Sequence, residues 1–188
     1  MPVPCPQRHL VTRARLLLPL MIILASCSNT GPTAPRPASP AGGLAPNAIV
    51  VRHVDGDTII VRRDADEQSV RLIGIDTPET KKPNTPIECF GPEASARLHD
   101  LLPDGSSVRL ERDVEERDTY NRVLAYVYRS GDALFVNEAM ATEGYANALT
   151  IRPNTAHADT IGAATDQARR ERRGLWGSCA GPHVAATR

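Results

Sequence analysis

Between residues 48 and 75 the apolar residues alternate or run in short β-branched stretches, and helical spacing takes over at 92–102 and after 136. The stretch 48–54 (AIVVRHV) stops at Asp55-Gly56, a turn pair, and 58–62 (TIIVR) resumes as a second strand. A third strand is expected over 69–75 (SVRLIGI), with Val70 and Leu72 on one face and Arg71, Ile73 and Ile75 on the other. Three strands split by short polar turns predict a meander. A loop with Pro78, Pro83 and Pro86 follows, and Pro92 opens a helix through Leu102. Further strands are predicted at 108–111 and 122–128, with a short helix at 136–143 ended by Gly144. A last helix is predicted at 156–173, stopped by Gly174 ahead of Leu175 and Trp176.

Carboxylates gather at the ends of these strands. Asp57 lies just past the Asp55-Gly56 turn, and Asp76 ends the third strand, followed by Thr77, Pro78 and Glu79. Pairing of the second and third strands brings Asp57 and Asp76 near each other. Three converging acids without a cation repel strongly, and a hard cation with oxygen ligands, calcium or magnesium rather than zinc, relieves this. Taken alone, such acids are more often solvated turn residues, and DGDT is by itself only a hairpin signal. Two arginines shift the balance. Arg71 lies on the strand that delivers Asp76, and Arg122 opens the RVLAYVY strand. A guanidinium fork matches a phosphate and stays charged, so both arginines beside a carboxylate cluster describe a phosphodiester site.

The N-terminus changes the compartment. Arg8, Arg13 and Arg15 precede an apolar run at 16–24, too short for a bilayer span of about 20 residues and fitting a secretory signal. Leu24-Ala25-Ser26-Cys27 resembles a bacterial lipobox, which predicts a signal peptide over 1–26 and a lipid anchor on Cys27. An ordinary secretory peptide with a chance cysteine is the other reading. The Pro-, Ala- and Ser-rich stretch 27–46 reads as a tether, 47–179 as the folded domain and 180–188 as a tail. Residues 1–26 hold three of the 22 Lys and Arg and no acid, leaving 19 bases against 22 acids. That excludes a broad basic nucleic-acid surface but not an enzyme that meets nucleic acid at a small site. Cys5 leaves with the signal and Cys27 takes the lipid, so Cys89 and Cys179 remain as an even pair in an exported domain, where a disulfide is the default.

The chain resembles the staphylococcal nuclease-like (thermonuclease) family. The resemblance is carried by VDGDTIIV (54–61), VRLIGIDTPET (70–80), FGPEASA (90–96), RDTYNRVLAYVY (117–128), VNEAMATEGYA (136–146), RPN (152–154) and GLW (174–176). It implies an α+β, mainly β, fold: a five-stranded OB-fold barrel packed with three helices. It also implies a Ca²⁺-dependent nuclease that cleaves DNA and/or RNA and leaves 3′-phosphates. On this resemblance Asp57 and Asp76 bind Ca²⁺ by side chain and Thr77 by its carbonyl. Glu79 serves as general base, Arg71 and Arg122 clamp the phosphate, and Tyr120 hydrogen-bonds near it. The expected partners are nucleic acid and, through the anchor, the membrane on its extracytoplasmic face, with a monomer as the expected state.

Departures from the family pattern are local. Asn121 stands where glycine usually precedes the second arginine, and Asn tolerates a left-handed turn. Leu149 and Ile151 stand where two tyrosines face the nucleotide, so a stacking platform is missing, or these two side chains pack inward. His53, His99, His157 and His183 lack a second histidine at ligand spacing. His157 reads as a structural hydrogen-bonder, His183 as part of a frayed tail, Trp176 as a core plug, and 169–173 as a solvated helix end. A barrel that binds nucleic acid without cutting is the alternative function, and it does not need the set Asp57, Asp76, Glu79, Arg71 and Arg122.

Overall fold

A computed structural model describes residues 43–81 and 86–186. The predicted signal peptide, Cys27 and most of the tether lie outside the described residues. The first hairpin forms as the sequence demands. β1 (Ala48–His53) and β2 (Thr58–Arg63) pair antiparallel, with a register shift between Val50 and Arg52 that leaves Val51 as the extra residue. β3 (Asp66–Leu72) pairs antiparallel with β2, and its register sets Arg71 opposite Thr58. β5 (Ser107–Glu111) pairs with β1 and with β6 (Val123–Arg129). A parallel pairing of β3 with β6, Val70 to Val123 and Leu72 to Ala125, closes the barrel. The result is the expected five-stranded closed barrel with three main helices.

The predicted third strand breaks where glycine allows it. Gly74 sits at φ 83°, and the chain leaves the barrel at Ile73. β4 (Gly74–Asp76) then pairs with β8 (Asn147–Leu149) in a separate two-stranded sheet, Asp76 opposite Asn147. Two short elements escaped the sequence pattern as well: β7 (Leu134–Phe135), which extends β6, and α4 (Leu175–Ser178). Helices α1 (Gly91–Leu101), α2 (Val136–Thr142) and α3 (Ala158–Arg170) match the predicted ones, the last shorter at both ends.

The core fills the barrel and continues under the helices. Val50, Ile59, Val61, Val70, Leu72 and Val127 line its interior, with Leu98, Met140 and Ile161 brought by α1, α2 and α3. Each such side chain contributes about 1.5–3 kcal/mol by leaving water. One buried polar group is built into this core. Asn137 on α2 is fully buried; its Oδ1 accepts from Val127 N–H at 2.9 Å and its Nδ2 donates to Ile73 C=O at 2.8 Å. It therefore ties α2 to β6 and to the point where β3 gives way to β4. Leu175, not Trp176, is the plug at the chain's C-terminal side: Leu175 is fully buried, whereas Trp176 is half-buried under the Arg169 guanidinium, 4.5 Å from its ring centroid. Gly144 and Gly174, both at positive φ, bring their backbones into contact, and Leu175 N–H donates to Gly144 C=O at 2.9 Å. A side chain at Gly144 would strike the Arg173 carbonyl, and one at Gly174 the Gly144 carbonyl.

Candidate active site

Strand register assembles the site. Thr58 faces Arg71 across β2–β3, and Leu124 faces Arg71 across β3–β6, so Arg71 stands between Asp57 on one side and Arg122 on the other. Asp76 arrives on β4, held in place by β8. A cavity of about 200 Å³ collects Asp55, Asp57, Arg71, Asp76, Thr77, Pro78, Glu79 and Arg122. The structure thus brings together the carboxylates and arginines singled out from sequence.

The buried end of this cluster is tightly bonded. Asp57 is buried, and its Oδ2 lies 2.6 Å from Arg71 Nη1 and accepts from Thr77 N–H at 3.1 Å and Thr77 Oγ1 at 3.0 Å. Its Oδ1 accepts from Thr58 Oγ1 at 3.1 Å. Arg71 Nη2 donates to Asp76 Oδ1 at 2.9 Å and Nη1 to Leu72 C=O at 3.1 Å. One guanidinium therefore bridges two carboxylates, and its single positive charge offsets only one of them. Burial pushes the Asp57 carboxyl up to about 6 against the pull of Arg71. The turn before it is fixed by Asp55, whose Oδ1 accepts from Asp57 N–H at 3.1 Å. Gly56 admits no side chain, since a Cβ there would meet the Thr77 hydroxyl.

Glu79 joins the cavity from the loop after β4. Its Oε1 accepts from Thr80 N–H at 2.9 Å and Lys81 N–H at 2.8 Å, and its own N–H donates to Glu88 Oε2 at 2.8 Å. Arg122 is aimed by Asp118. Asp118 Oδ2 accepts from Arg122 Nε at 2.6 Å, and Oδ1 accepts from the backbone N–H of Tyr120 and Arg122 at 3.0 and 2.9 Å. Burial alone would raise the Asp118 carboxyl, but these bonds and the Arg122 charge hold it below its ordinary value. The terminal nitrogens of Arg122 make no hydrogen bond among the described residues. Asn121 adopts the left-handed conformation at φ 63° that the turn before Arg122 requires.

A second cavity of about 280 Å³ shares Arg71 and Arg122 and opens along Leu72, Tyr120, Leu149, Ile151 and Asn154. Tyr120 is 81% exposed, with its ring 5.6 Å from the Arg122 guanidinium carbon. Ile151 is 64% exposed and Leu149 half-buried, so Ile151 does not pack inward; both border the cavity. Their wall is aliphatic beside the arginines.

Two features were not legible from sequence. Asp118 is one, because Asp-x-x-x-Arg reads as a surface pair until the turn folds. The other is His183, which is not in a frayed tail. Its Nε2 lies 3.0 Å from Asp76 Oδ2 and its Nδ1 3.0 Å from Glu88 Oε2. The segment carrying it is held back on the loop before α1, with Cys89 N–H donating to Val184 C=O at 2.7 Å and Ala186 N–H to Ile87 C=O at 3.0 Å. Cys89 and Cys179 are joined in a disulfide, which fixes the start of that segment. His157 is the structural hydrogen-bonder expected, its Nε2 3.4 Å from both Tyr128 Oη and Glu111 Oε1 and its ring packed edge-on to Tyr126 at 4.4 Å.

Residues 69–178 match the family described as Staphylococcal nuclease homologue. The chain is 46% identical over 127 residues to the thermonuclease of Staphylococcus hyicus, covering 68% of this chain and 73% of that one. It is 37% identical over 166 residues to the thermonuclease of Staphylococcus intermedius, covering 88% and 97%. It is also 38% identical over 132 residues to the endonuclease YncB of Bacillus subtilis, covering 69% and 61%. The strand register that assembles two carboxylates and two arginines, and the likeness that runs through it, have one explanation: the chain belongs to the staphylococcal nuclease family.

Proposed function

We propose that this nuclease hydrolyses phosphodiester bonds in DNA and/or RNA with Ca²⁺ as its cofactor and leaves 3′-phosphates. The observation that carries this reading is the single cavity holding Asp57, Asp76, Glu79, Arg71 and Arg122. The donor set suits a hard cation: two carboxylates and the Thr77 carbonyl, with no thiolate and no required imidazole. Bound there, a divalent cation supplies positive charge opposite the phosphoryl oxygens. The protein residues do the rest. Arg122, aimed by Asp118, and Arg71, held between Asp57 and Asp76, bind the phosphate and favour the charge that grows on it during attack. Glu79 takes the proton from the attacking water. A binding module without turnover has no use for this set.

Digestion of DNA and of RNA by the full chain, with Ca²⁺ and then with excess chelator, tests the reading. Cleavage with Ca²⁺, its loss on chelation and 3′-phosphate ends are expected. Undiminished cleavage in chelator overturns the calcium assignment.

The same reading places the enzyme outside the cytoplasm, on a lipid anchor at Cys27. Support comes from the residues at 24–27 and from the Cys89–Cys179 disulfide, a bond of oxidising compartments. Among the described residues no helix is long and apolar enough to cross a membrane. Mass spectrometry of the membrane fraction should find a chain that begins at diacylglyceryl-modified Cys27.

A further inference from the structure

A group of metal-binding side chains lies outside the nuclease cavity. His53 ends β1, His99 sits in the last turn of α1, and Asp104 lies in the turn that follows. One ligating atom from each falls within 4.8 Å of the others. His53 Nδ1 is 3.4 Å from Asp104 Oδ1, and the two imidazoles meet edge-on with centroids 4.9 Å apart. The two histidines are 46 residues apart in sequence, which is why ligand spacing gave no hint of them.

His53 is the telling member. Its side chain is 9% exposed; both ring nitrogens are buried, and among the described residues neither completes a hydrogen bond of good geometry, Nδ1 having only the long 3.4 Å approach to Asp104. Buried polar atoms so weakly satisfied are rare in folded proteins, and each calls for a reason. His99 and Asp104, in contrast, are exposed at the surface.

We propose that His53, His99 and Asp104 form a second cation site that takes a borderline divalent transition ion such as zinc. Two imidazoles and one carboxylate, with water in the fourth position, make a familiar three-ligand zinc set, and they differ in kind from the all-oxygen donors of the nuclease cavity. Zn–N bonds of about 2.0–2.1 Å place tetrahedral ligand atoms about 3.3 Å apart. The His53–Asp104 pair already stands near that separation. The exposed His99 and Asp104 side chains close the remainder by rotation, whereas His53 is fixed by its burial. Burial, and then the neighbouring His99, lowers the His53 pKa, which keeps the ring in its ligating neutral form. An ion here would clamp the end of α1 to the end of β1, at the hairpin whose turn carries Asp55 and Asp57.

Calorimetric titration of the full chain with Zn²⁺ tests the site, in buffer containing Ca²⁺ and alongside thermal melts. One saturable zinc equivalent and a raised Tm are expected. Both should persist in the double variant Asp76→Ala/His183→Ala, which removes one carboxylate of the nuclease cavity and the imidazole that contacts it. Both should vanish in His99→Ala, and Asp104→Asn should weaken binding at least tenfold. His99 and Asp104 are exposed, so these variants test the site without touching the core. No saturable uptake, uptake indifferent to His99 or Asp104, or uptake abolished by Asp76→Ala/His183→Ala overturns the proposal. None of these readouts depends on nuclease activity.

Discussion

The two cavities that meet at Arg71 and Arg122 are built on different physics. On the Asp57 side, nearly every polar atom is already committed within the protein: Arg71 bridges Asp57 and Asp76, and Thr77 supports Asp57 twice. Strand register fixes their positions, and burial strengthens each charge interaction. On the Tyr120 side, the walls include the exposed Tyr120 ring, the exposed Ile151 and the half-buried Leu149. The first region is preorganised and intolerant of change. The second is adaptable and open to improvement. On the proposed mechanism, chemistry depends on the first and affinity on the second.

The most damaging way to probe this contrast is to remove a charge from the preorganised side. Arg71→Ala, Arg122→Ala and Glu79→Ala should each lower kcat by at least about 10²-fold, the usual scale for a lost transition-state donor or general base. Single-turnover kinetics on a defined oligonucleotide reads this directly, and near-normal turnover in any variant removes that residue from the mechanism. A smaller effect should follow from loosening the scaffold rather than the site. Asn137→Ala strands Val127 N–H and Ile73 C=O, at about 1–3 kcal/mol for each buried group left unpaired. Urea denaturation should show that loss of stability, and an unchanged midpoint would mean that water or a shifted backbone replaces the amide.

The gentlest change sharpens the other side of the comparison. Leu149→Tyr supplies an aromatic face to the cavity it lines. One base–aromatic stack is worth about 1–3 kcal/mol, so KM for a dinucleotide should fall about fivefold or more. kcat should stay nearly constant, because Arg71, Arg122 and the carboxylates are not altered. A KM unaffected by the substitution would show that binding comes from elsewhere on the protein.

Much of the preorganised region was legible in the sequence because it rests on local signals. Alternation marked the strands, and Asp-Gly marked the first turn. The positions of Asp57, Asp76, Arg71 and Arg122 followed from which strand ends they occupy. What stayed hidden depends on long-range contacts. The break of the third strand at Ile73 is invisible to alternation, because Ile73, Gly74 and Ile75 fit a strand equally well. It is fixed by Asn137, 64 residues later, and by pairing with β8. β8 itself has three residues, too few for a periodic signal. The place of His183 is hidden for the same reason. Its segment lacks helix or strand patterning and is ordered by Glu88, Cys89 and Asp76, all about ninety residues away or more. Trp176 is the larger side chain, yet the fully buried one is its neighbour Leu175, whose N–H donates to Gly144 C=O.

The Cys89–Cys179 bond has a meaning beyond holding the tail. It turns residues 89–179 into a closed covalent ring, within which lie Asp118, Tyr120 and Arg122. Asp57, Arg71, Asp76 and Glu79 lie before the ring and are joined to it through a single peptide path. A protease that cuts once inside the ring, for instance beside the 70% exposed Val114, opens a loop but releases no fragment. The nicked molecule keeps every group proposed for catalysis on one covalent framework and can close up again around the barrel. On the proposed extracytoplasmic location, the ring confers tolerance of damage on the half of the site that supplies Arg122.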